Sequence, residues 1–198
     1  MQYLGDKKAL QIKYIVGPYM GTSLQPEAID TFLHSNGVDK DDAVTSLKWR
    51  AGEWPGYLEI KTESGKIIRS KKVYYNYLIP FFVTQASLQS MDFSNEFADL
   101  AVGDAWSPEF EKDGGGHSVI VTRSSDMEEI LSEMIRKELI KATIVDPIQA
   151  TEMHGHMLDF KKRGSYLRNR WRKIIGLSAP DFGYRPTNIG LSRMMVEA

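Results

Sequence analysis

No cysteine occurs among the 198 residues of this chain. Its fold is therefore held without disulfides, and its residues cannot offer a thiolate to a zinc ion, an iron-sulfur cluster or a covalent catalytic step. Hydrophobic residues make up 42% of the sequence, which is enough to bury one good core. We therefore expect a fold that is stabilised by the packing of apolar side chains.

The charge balance gives no reason to expect a polyanionic partner. The formal net charge is -1, so no overall field draws the chain to nucleic acid or to an acidic membrane. The longest apolar stretch, residues 77–83, contains a proline and is too short to cross a bilayer. The first residues lack the apolar segment of a signal peptide. We expect a cytoplasmic protein without membrane or nucleic-acid partners.

Strand-like and helix-like patterns follow one another in the first half of the chain. Residues 9–20 are rich in β-forming side chains and predict a core strand that runs into a tight loop at its Gly-Pro pair. Apolar residues recur at helical spacing within residues 23–37, with a proline near the start and an Asn-Gly pair at the end. Residues 57–70 alternate around a Ser-Gly pair, which predicts a β-hairpin at a sheet edge.

The second half continues this mixture of elements. Residues 97–103 and 118–122 are predicted strands on either side of a glycine-rich loop. A helix is predicted over residues 125–137 and a short strand over residues 140–146.

These elements predict the α+β class, with a mixed β-sheet, flanking helices and an edge β-hairpin. We assign a mixed α/β core to residues 1–150. Residues 151–198 are predicted to form a basic helix and an extended C-terminal tail.

Four stretches of the chain resemble the C-terminal portion of one protein family. They are IVGPYMGTSLQPEAI at 15–29, RAGEWPGYLEI at 50–60, FSNEFADLAVGDAW with GGHSVIVTR after it at 93–123, and HMLDFKKRGSYLRNRWRKIIGLSAPDFGY at 156–184. Together they are similar to the coenzyme F420 hydrogenase/dehydrogenase beta subunits, and the third stretch is the most specific. The resemblance implies a flavoprotein that exchanges a hydride with a deazaflavin and passes electrons through an iron-sulfur cluster.

The chain departs from this family pattern where the cluster would be held. The pattern places cysteines at the positions of Met20, Ser87 and Ser90. Hydroxyls and thioethers are poor substitutes for thiolates, so we expect no iron-sulfur cluster in this chain. The alternative interpretation of the two serines is that they are ordinary turn hydroxyls.

A second departure concerns the upstream portion of the family, which shares in the flavin site of the relatives and is not part of this sequence. We expect a partner chain to supply it. The alternatives are that flavin binding is incomplete or that the activity has been lost.

The candidate cofactor-binding residues outside the basic segment fall into three groups. Polar side chains suited to ribose hydroxyls or ring N–H groups, with strand-end capping as the alternative, are Asn95, Glu96, Asp99 and Asp104. Glycines that let the backbone approach a flat or anionic ligand, with a plain hairpin loop as the alternative, are Gly103, Gly115 and Gly116. Residues that flank a planar ring or shape the site entrance, with core packing as the alternative, are Trp54, Gly56 and Trp106.

Histidines provide the candidate catalytic group. His117 follows the glycine run and is the residue that we expect to supply a proton or contact a phosphate, with a solvated loop histidine as the alternative. His154 and His156 are two residues apart and do not share a helix face, so no metal site is predicted.

Basic residues are concentrated in residues 161–173, interleaved with apolar residues at helical spacing. This pattern indicates a packed helix with a cationic outer side. Lys161 and Lys162 are candidates to bind the diphosphate of a flavin or the acidic tail of a deazaflavin. A solvated charged face is the alternative, and nucleic-acid binding ranks third because the overall charge is not basic.

Two functional hypotheses follow. The first is a flavin-linked oxidoreductase module that transfers hydride without a cluster of its own, with FAD as candidate cofactor, a deazaflavin coenzyme as candidate substrate and a redox partner protein. The second is a noncatalytic binding or assembly subunit that keeps the fold after losing its redox centre. The sequence alone does not decide whether the chain is an enzyme.

Overall fold

Two small sheets organise the chain. The computed structural model describes residues 11–71, 78–112 and 114–197. Its strands are β1 (Val16–Pro18), β2 (Val44–Ala51), β3 (Tyr57–Thr62), β4 (Ile67–Lys71), β5 (Leu100–Asp104) and β6 (Ser118–Thr122). The mixed sheet has the order β1-β5-β6, with β1 parallel and β6 antiparallel to β5. The antiparallel sheet has the order β2-β3-β4.

Helices lie between and after these strands, which confirms the predicted α+β class. They are α1 (Glu27–Ser35), α2 (Ile79–Phe82), α3 (Gln85–Gln89), α4 (Pro108–Glu111), α5 (Ser125–Arg136), α6 (Pro147–Glu152), α7 (Gly155–Asp159), α8 (Ser165–Ile174) and α9 (Leu191–Val196). A π-helical turn, Phe160–Gly164, joins α7 to α8. Within the described ranges, no helix has the length and apolar character needed to cross a membrane.

The main core joins α1 to the antiparallel sheet. Ala28 and Phe32 are four residues apart, so their side chains share the face of α1 that packs against β3. Leu58 and Ile60 are two residues apart and therefore share one face of that strand. Burying a side chain of this size contributes roughly 2 kcal/mol to folding. A smaller core beside the mixed sheet contains Ala105, Val119 and Met153.

The structure confirms two of the predicted elements in the first half and extends one of them. α1 begins directly after Pro26 and ends before the Asn-Gly pair, as predicted. β3 and β4 form the predicted hairpin. However, of the two hairpin strands β4 lies at a sheet edge and β3 is central, because β2, which the sequence did not reveal, pairs with the other side of β3.

The predicted strand over residues 9–20 is too long. β1 has only three residues, and the Gly-Pro pair lies inside it rather than in a following loop. Just before the strand, the Asp99 carboxylate accepts a hydrogen bond from Ile15 N at 2.8 Å. Residues 9 and 10 lie outside the described residues.

The predicted strand over residues 140–146 is wrong. None of these residues belongs to a strand, and Ile144 is fully exposed. Asp146 instead caps α6, because its carboxylate accepts a hydrogen bond from Ile148 N at 2.8 Å. Pro147, which the sequence pattern placed at the end of a strand, starts this helix.

The C-terminal residues combine helix and irregular structure. α8 confirms the predicted helix in the basic segment. Residues 178–190 contain no helix or strand, and α9 follows them. The division of the chain at residue 150 stays a prediction.

Candidate functional site

A cavity of about 970 Å³ lies beside the loop that follows β1. Residues from both sheets, from α1 and from the start of α7 line it. Its volume is in the range in which proteins enclose small organic ligands. Of the predicted site residues, Gly103, Asp104 and Trp106 line this cavity.

Gly103 lets an aromatic ring lie directly against β5. A Cβ atom at this position would be 2.4 Å from the Tyr19 ring, so the contact requires glycine. Tyr19 N donates to Val102 O at 2.8 Å, which continues the pairing of β1 with β5. The Tyr19 ring meets that of Phe93 edge-on, with 5.0 Å between centroids. Burial raises the pKa of the Tyr19 phenol, which is therefore neutral near pH 7.

His154, discounted as a zinc ligand from its spacing, lies in the cavity wall. The residue is 4% exposed, and its ring packs against Tyr19 at 5.2 Å and Phe93 at 5.1 Å between centroids. Burial lowers the pKa of the imidazole, so the ring is neutral near pH 7. Its Nε2 has no hydrogen-bond partner among the described residues, which is uncommon for a buried polar atom.

Arg50 packs on two tryptophans beside the cavity. Its Cζ lies 4.5 Å from the Trp54 ring centroid and 5.4 Å from that of Trp106. The two indole centroids are 4.7 Å apart. Arg50 Nη2 donates to Asp104 Oδ2 at 3.0 Å. We call Arg50, Trp54, Asp104 and Trp106 the rim; of these, sequence reasoning missed Arg50.

Glycines shape the loops that carry the rim. Gly56 has a φ of +75°, and a Cβ there would lie 3.1 Å from a carbonyl oxygen of β2, so the reversal into β3 requires glycine. Trp54 N donates to Gly114 O at 2.7 Å, and a Cβ on Gly116 would be 3.2 Å from the Trp54 indole. Gly115 is exposed. The glycine-rich loop therefore packs on Trp54 and lies outside the cavity lining.

Comparison with known proteins identifies the family. Residues 1–147 match the family described as the C terminus of the coenzyme F420 hydrogenase/dehydrogenase beta subunit. The chain belongs to this family. The match contains the whole rim, whereas the fourth resembling stretch, residues 156–184, lies beyond it. No curated protein matches the chain.

One solved structure contains a chain whose fold is similar to that of the chain described here. The similar chain comes from the F420-reducing nickel-iron hydrogenase complex of Methanosarcina barkeri, with a TM-score of 0.52 and 16% sequence identity. The similarity covers 85% of this chain and 55% of that one. The family member described here thus spans about half of the hydrogenase chain that it matches.

Two predicted site residues of this family member connect β1 to the turn before β5. The Asn95 side-chain amide donates to the Pro18 carbonyl, and the Asp99 carboxylate accepts from Ile15 N. Both contacts hold backbone groups at the strand ends. They fit the capping alternative for these residues.

Three further predicted site residues also lie outside the cavity lining: Glu96, His117 and Lys162. The His117 ring is 4.9 Å from the Phe110 ring between centroids, and the residue is exposed. Glu96 forms an ion pair with Lys162. The roles predicted for these residues stay predictions.

Four polar side chains at the start of the basic segment donate to the carbonyl end of α3. Lys161 Nζ donates to Ser87 O at 3.0 Å, although the lysine is only 1% exposed. The other donors bind carbonyls of residues 88–90 at 2.7 to 2.9 Å. We call this set of donors the carbonyl-binding face: Lys161, Ser165, Arg168 and Asn169. The predicted cationic outer side is therefore wrong at Lys161, which points inward.

Carboxylates form ion pairs with four residues of the basic segment. Lys162 pairs with Glu96, Arg163 with Asp159, Arg168 with Glu197 and Lys173 with Asp181. These pairs offset only part of the positive charge of the segment, because Asp159 and Glu197 also pair with Arg193.

The residues at the expected cysteine positions do not fit an iron-sulfur cluster. The Ser87 hydroxyl accepts hydrogen bonds from Ser23 N at 2.8 Å and from Thr84 Oγ1 at 3.0 Å. The Met20 sulfur accepts from the Ser23 hydroxyl at 3.9 Å. Hydroxyls and a thioether that already have protein partners are unsuited to holding iron. In the described ranges, no group of three or more His, Asp or Glu side chains is placed to hold a metal ion either.

Proposed function

We propose that the chain is a flavin-linked oxidoreductase module that transfers hydride between a bound flavin and a deazaflavin coenzyme. The observation that carries the proposal is the convergence of Gly103, Asp104 and Trp106 on one aromatic cavity. The sequence singles out each of them as suited to a planar redox cofactor. Membership of a family named for coenzyme F420 supports the same chemistry.

The cavity residues suit an isoalloxazine ring. Tyr19, which packs on the β5 backbone at Gly103, and Trp106 offer aromatic surfaces for a planar ring. The Asp104 carboxylate would accept a hydrogen bond from a ring N–H or a ribose hydroxyl. FAD, when bound, supplies the two-electron chemistry, and the chain orients the ring and excludes water from it.

In this proposal, a histidine side chain supplies or accepts the proton. His117 is the candidate from the sequence, and its exposed position suits exchange with solvent beyond the rim. His154 is better placed for a ligand in the cavity, because it lines the wall as a neutral imidazole whose Nε2 has no partner in the described part of the chain.

The proposed module contains no iron-sulfur cluster of its own. Hydride exchange with the deazaflavin moves two electrons together, and delivery of single electrons onward would need a redox partner protein that carries its own centre. The similar solved chain is part of a hydrogenase complex, which supports a partner of this kind. A partner chain that completes the flavin site belongs to the same proposal.

Uptake of FAD by the purified chain tests the proposal. We expect stoichiometric flavin and no stoichiometric iron or sulfide after incubation and gel filtration. Anaerobic addition of reduced F420 should then bleach the flavin absorbance. The proposal fails if the chain takes up no FAD, either alone or when produced together with the products of its neighbouring genes.

Exposed apolar side chains favour a second candidate, a noncatalytic binding or assembly subunit. Phe97 is 94% exposed and Phe81 is 79% exposed, and large exposed aromatics are typical of protein interfaces. This candidate predicts that pull-down recovers a stable partner while no flavin co-purifies. Flavin reduction by F420 in the isolated chain would contradict it.

A further inference from the structure

Arg50 has spare hydrogen-bonding capacity next to the cavity. Its Nη1 donates to Pro55 O at 3.2 Å and its Nη2 to Asp104 Oδ2 at 3.0 Å. Further N–H groups of the guanidinium have no acceptor among the described residues. The side chain is 36% exposed and lines the cavity, so it lies where the cavity meets solvent.

Two indoles hold this guanidinium in place before any ligand arrives. Trp54 and Trp106 both lie within cation–π distance of Arg50 Cζ. Such packing restricts the long arginine side chain, so less conformational entropy is lost when it binds an anion. The rim therefore presents a preorganised cation.

A ligand anion can easily replace Asp104 as the partner of Arg50. Asp104 is 47% exposed, and an ion pair between two such exposed groups contributes little to stability. An incoming phosphate or carboxylate can take the place of this carboxylate without leaving a buried charge unpaired. Asp104 also follows Gly103 directly, so the exchange would occur beside the proposed ring site.

The sequence pattern predicted that Lys161 and Lys162 bind an anionic group of a ligand, but both side chains have protein partners in the structure. Lys161 is buried and donates to Ser87 O, and Lys162 pairs with Glu96. Neither lysine lines the cavity. Arg50 is therefore better placed than either to meet the anionic part of a ligand there.

We propose that Arg50 recognises a phosphate or carboxylate group of the planar ligand whose ring occupies the cavity. Asp104 holds the guanidinium until the ligand anion replaces it. This inference rests on the proposed function and adds to it a residue that selects anionic ligands.

Paired flavin probes test the inference. FMN and riboflavin share one ring system, but only FMN carries a phosphate. We expect the wild-type chain to bind FMN about tenfold more tightly than riboflavin in low-salt buffer, measured by quenching of flavin fluorescence. Arg50→Gln should abolish this preference, and a circular dichroism spectrum that matches the wild type shows that the variant is folded. Asp104→Asn should enlarge the preference, because the competing carboxylate is gone.

Arg69→Gln is the matched control. Arg69 also pairs with a carboxylate and lies 5.4 Å from an aromatic centroid, that of Tyr57, but it does not line the cavity. This variant should keep the wild-type preference for FMN. Equal loss of preference in Arg69→Gln and Arg50→Gln would overturn the inference.

A second probe pair identifies which ligand carries the anion. F420 has an acidic tail that its isolated deazaflavin chromophore lacks. An Arg50-dependent preference in the flavin pair assigns the anion to the flavin, and one in the deazaflavin pair assigns it to the deazaflavin. Tight binding without preference in either pair overturns the inference but leaves the proposed function standing. Absence of all binding, both for the chain alone and for the chain produced with the products of its neighbouring genes, contradicts both.

Discussion

The carbonyl-binding face and the cavity bury polar groups in opposite ways. On the carbonyl-binding face, Lys161 and its neighbours donate to a row of carbonyls at the end of α3. In the cavity, His154 Nε2 has no partner within the described ranges, and Arg50 is held by an exchangeable carboxylate. All four side chains of the carbonyl-binding face donate to backbone carbonyls, although Asn169 Oδ1 also has no partner among the described residues. The unpartnered atom of His154 differs in position, because it belongs to a residue that lines the cavity, where a ligand could bind it. The two regions should therefore respond differently to substitution.

Lys161→Ala should produce the largest change in stability. The substitution removes the donor to Ser87 O and leaves a cavity where the lysine side chain was, so we expect a loss of about 3 kcal/mol in the free energy of unfolding. Urea denaturation measures this loss. Lys173→Ala, at a 46% exposed side chain, is the control and should stay within about 0.5 kcal/mol of wild type. Equal losses in both variants would remove the proposed distinction between buried and surface cations.

The same lysine should make stability depend on pH. Burial lowers the pKa of Lys161 from 10.5 to about 8, so the folded chain releases this proton at a lower pH than the unfolded chain does. Between these values the unfolded state binds more protons, and stability therefore rises with pH.

Lys161→Met provides the reference for this effect. From pH 8 to pH 10 the wild type should gain on the order of 2 kcal/mol relative to the variant. Subtracting the two unfolding curves removes the groups that titrate in both chains. Parallel pH profiles would mean that Lys161 is solvated in the folded chain.

Gly103→Ala should cause a smaller loss of stability, and it acts on the cavity. The added methyl group would collide with the Tyr19 ring, and displacing that ring should cost about 1 to 2 kcal/mol in urea denaturation. Gly155→Ala is the control, because a Cβ there meets nothing within 4 Å. A neutral Gly103→Ala would show that Tyr19 is free to move.

Trp106→Phe should change ligand affinity more than stability. Phenylalanine keeps an aromatic face but a smaller one, so FAD binding should weaken by a few-fold, on the order of 1 kcal/mol. Isothermal titration calorimetry measures this change. Trp49→Phe, at another tryptophan of the cavity lining outside the rim, shows whether the effect is specific to the rim.

Sequence patterns predicted the elements whose residues form local contacts. α1 was predictable because its apolar residues recur at helical spacing, and the hairpin because it folds around one turn. The strand predicted over residues 140–146 failed because an Asp-Pro pair also starts helices, and the pattern does not distinguish the two uses.

The cavity was predictable only in part. Gly103, Asp104 and Trp106 lie within four residues of one another, so one motif revealed all three. His154 gave no signal, because the rings that enclose it come from residues 19 and 93. Arg50 was not predicted as a site residue, because it is held beside the cavity by contacts with Trp106 and Asp104, which are distant in sequence. Lys161 was predicted to be a surface cation, because the sequence pattern does not show that α3 packs against it.

FAD titration of the wild-type chain beside Gly103→Ala tests the central claim most directly. If the flavin ring packs against Tyr19 in the cavity, the wild type binds FAD stoichiometrically, and the variant, with Tyr19 displaced, binds it at least about tenfold more weakly. Equal affinities would place any bound flavin elsewhere, and absence of binding to the wild type, both alone and with the products of its neighbouring genes, would contradict a flavin site in this cavity.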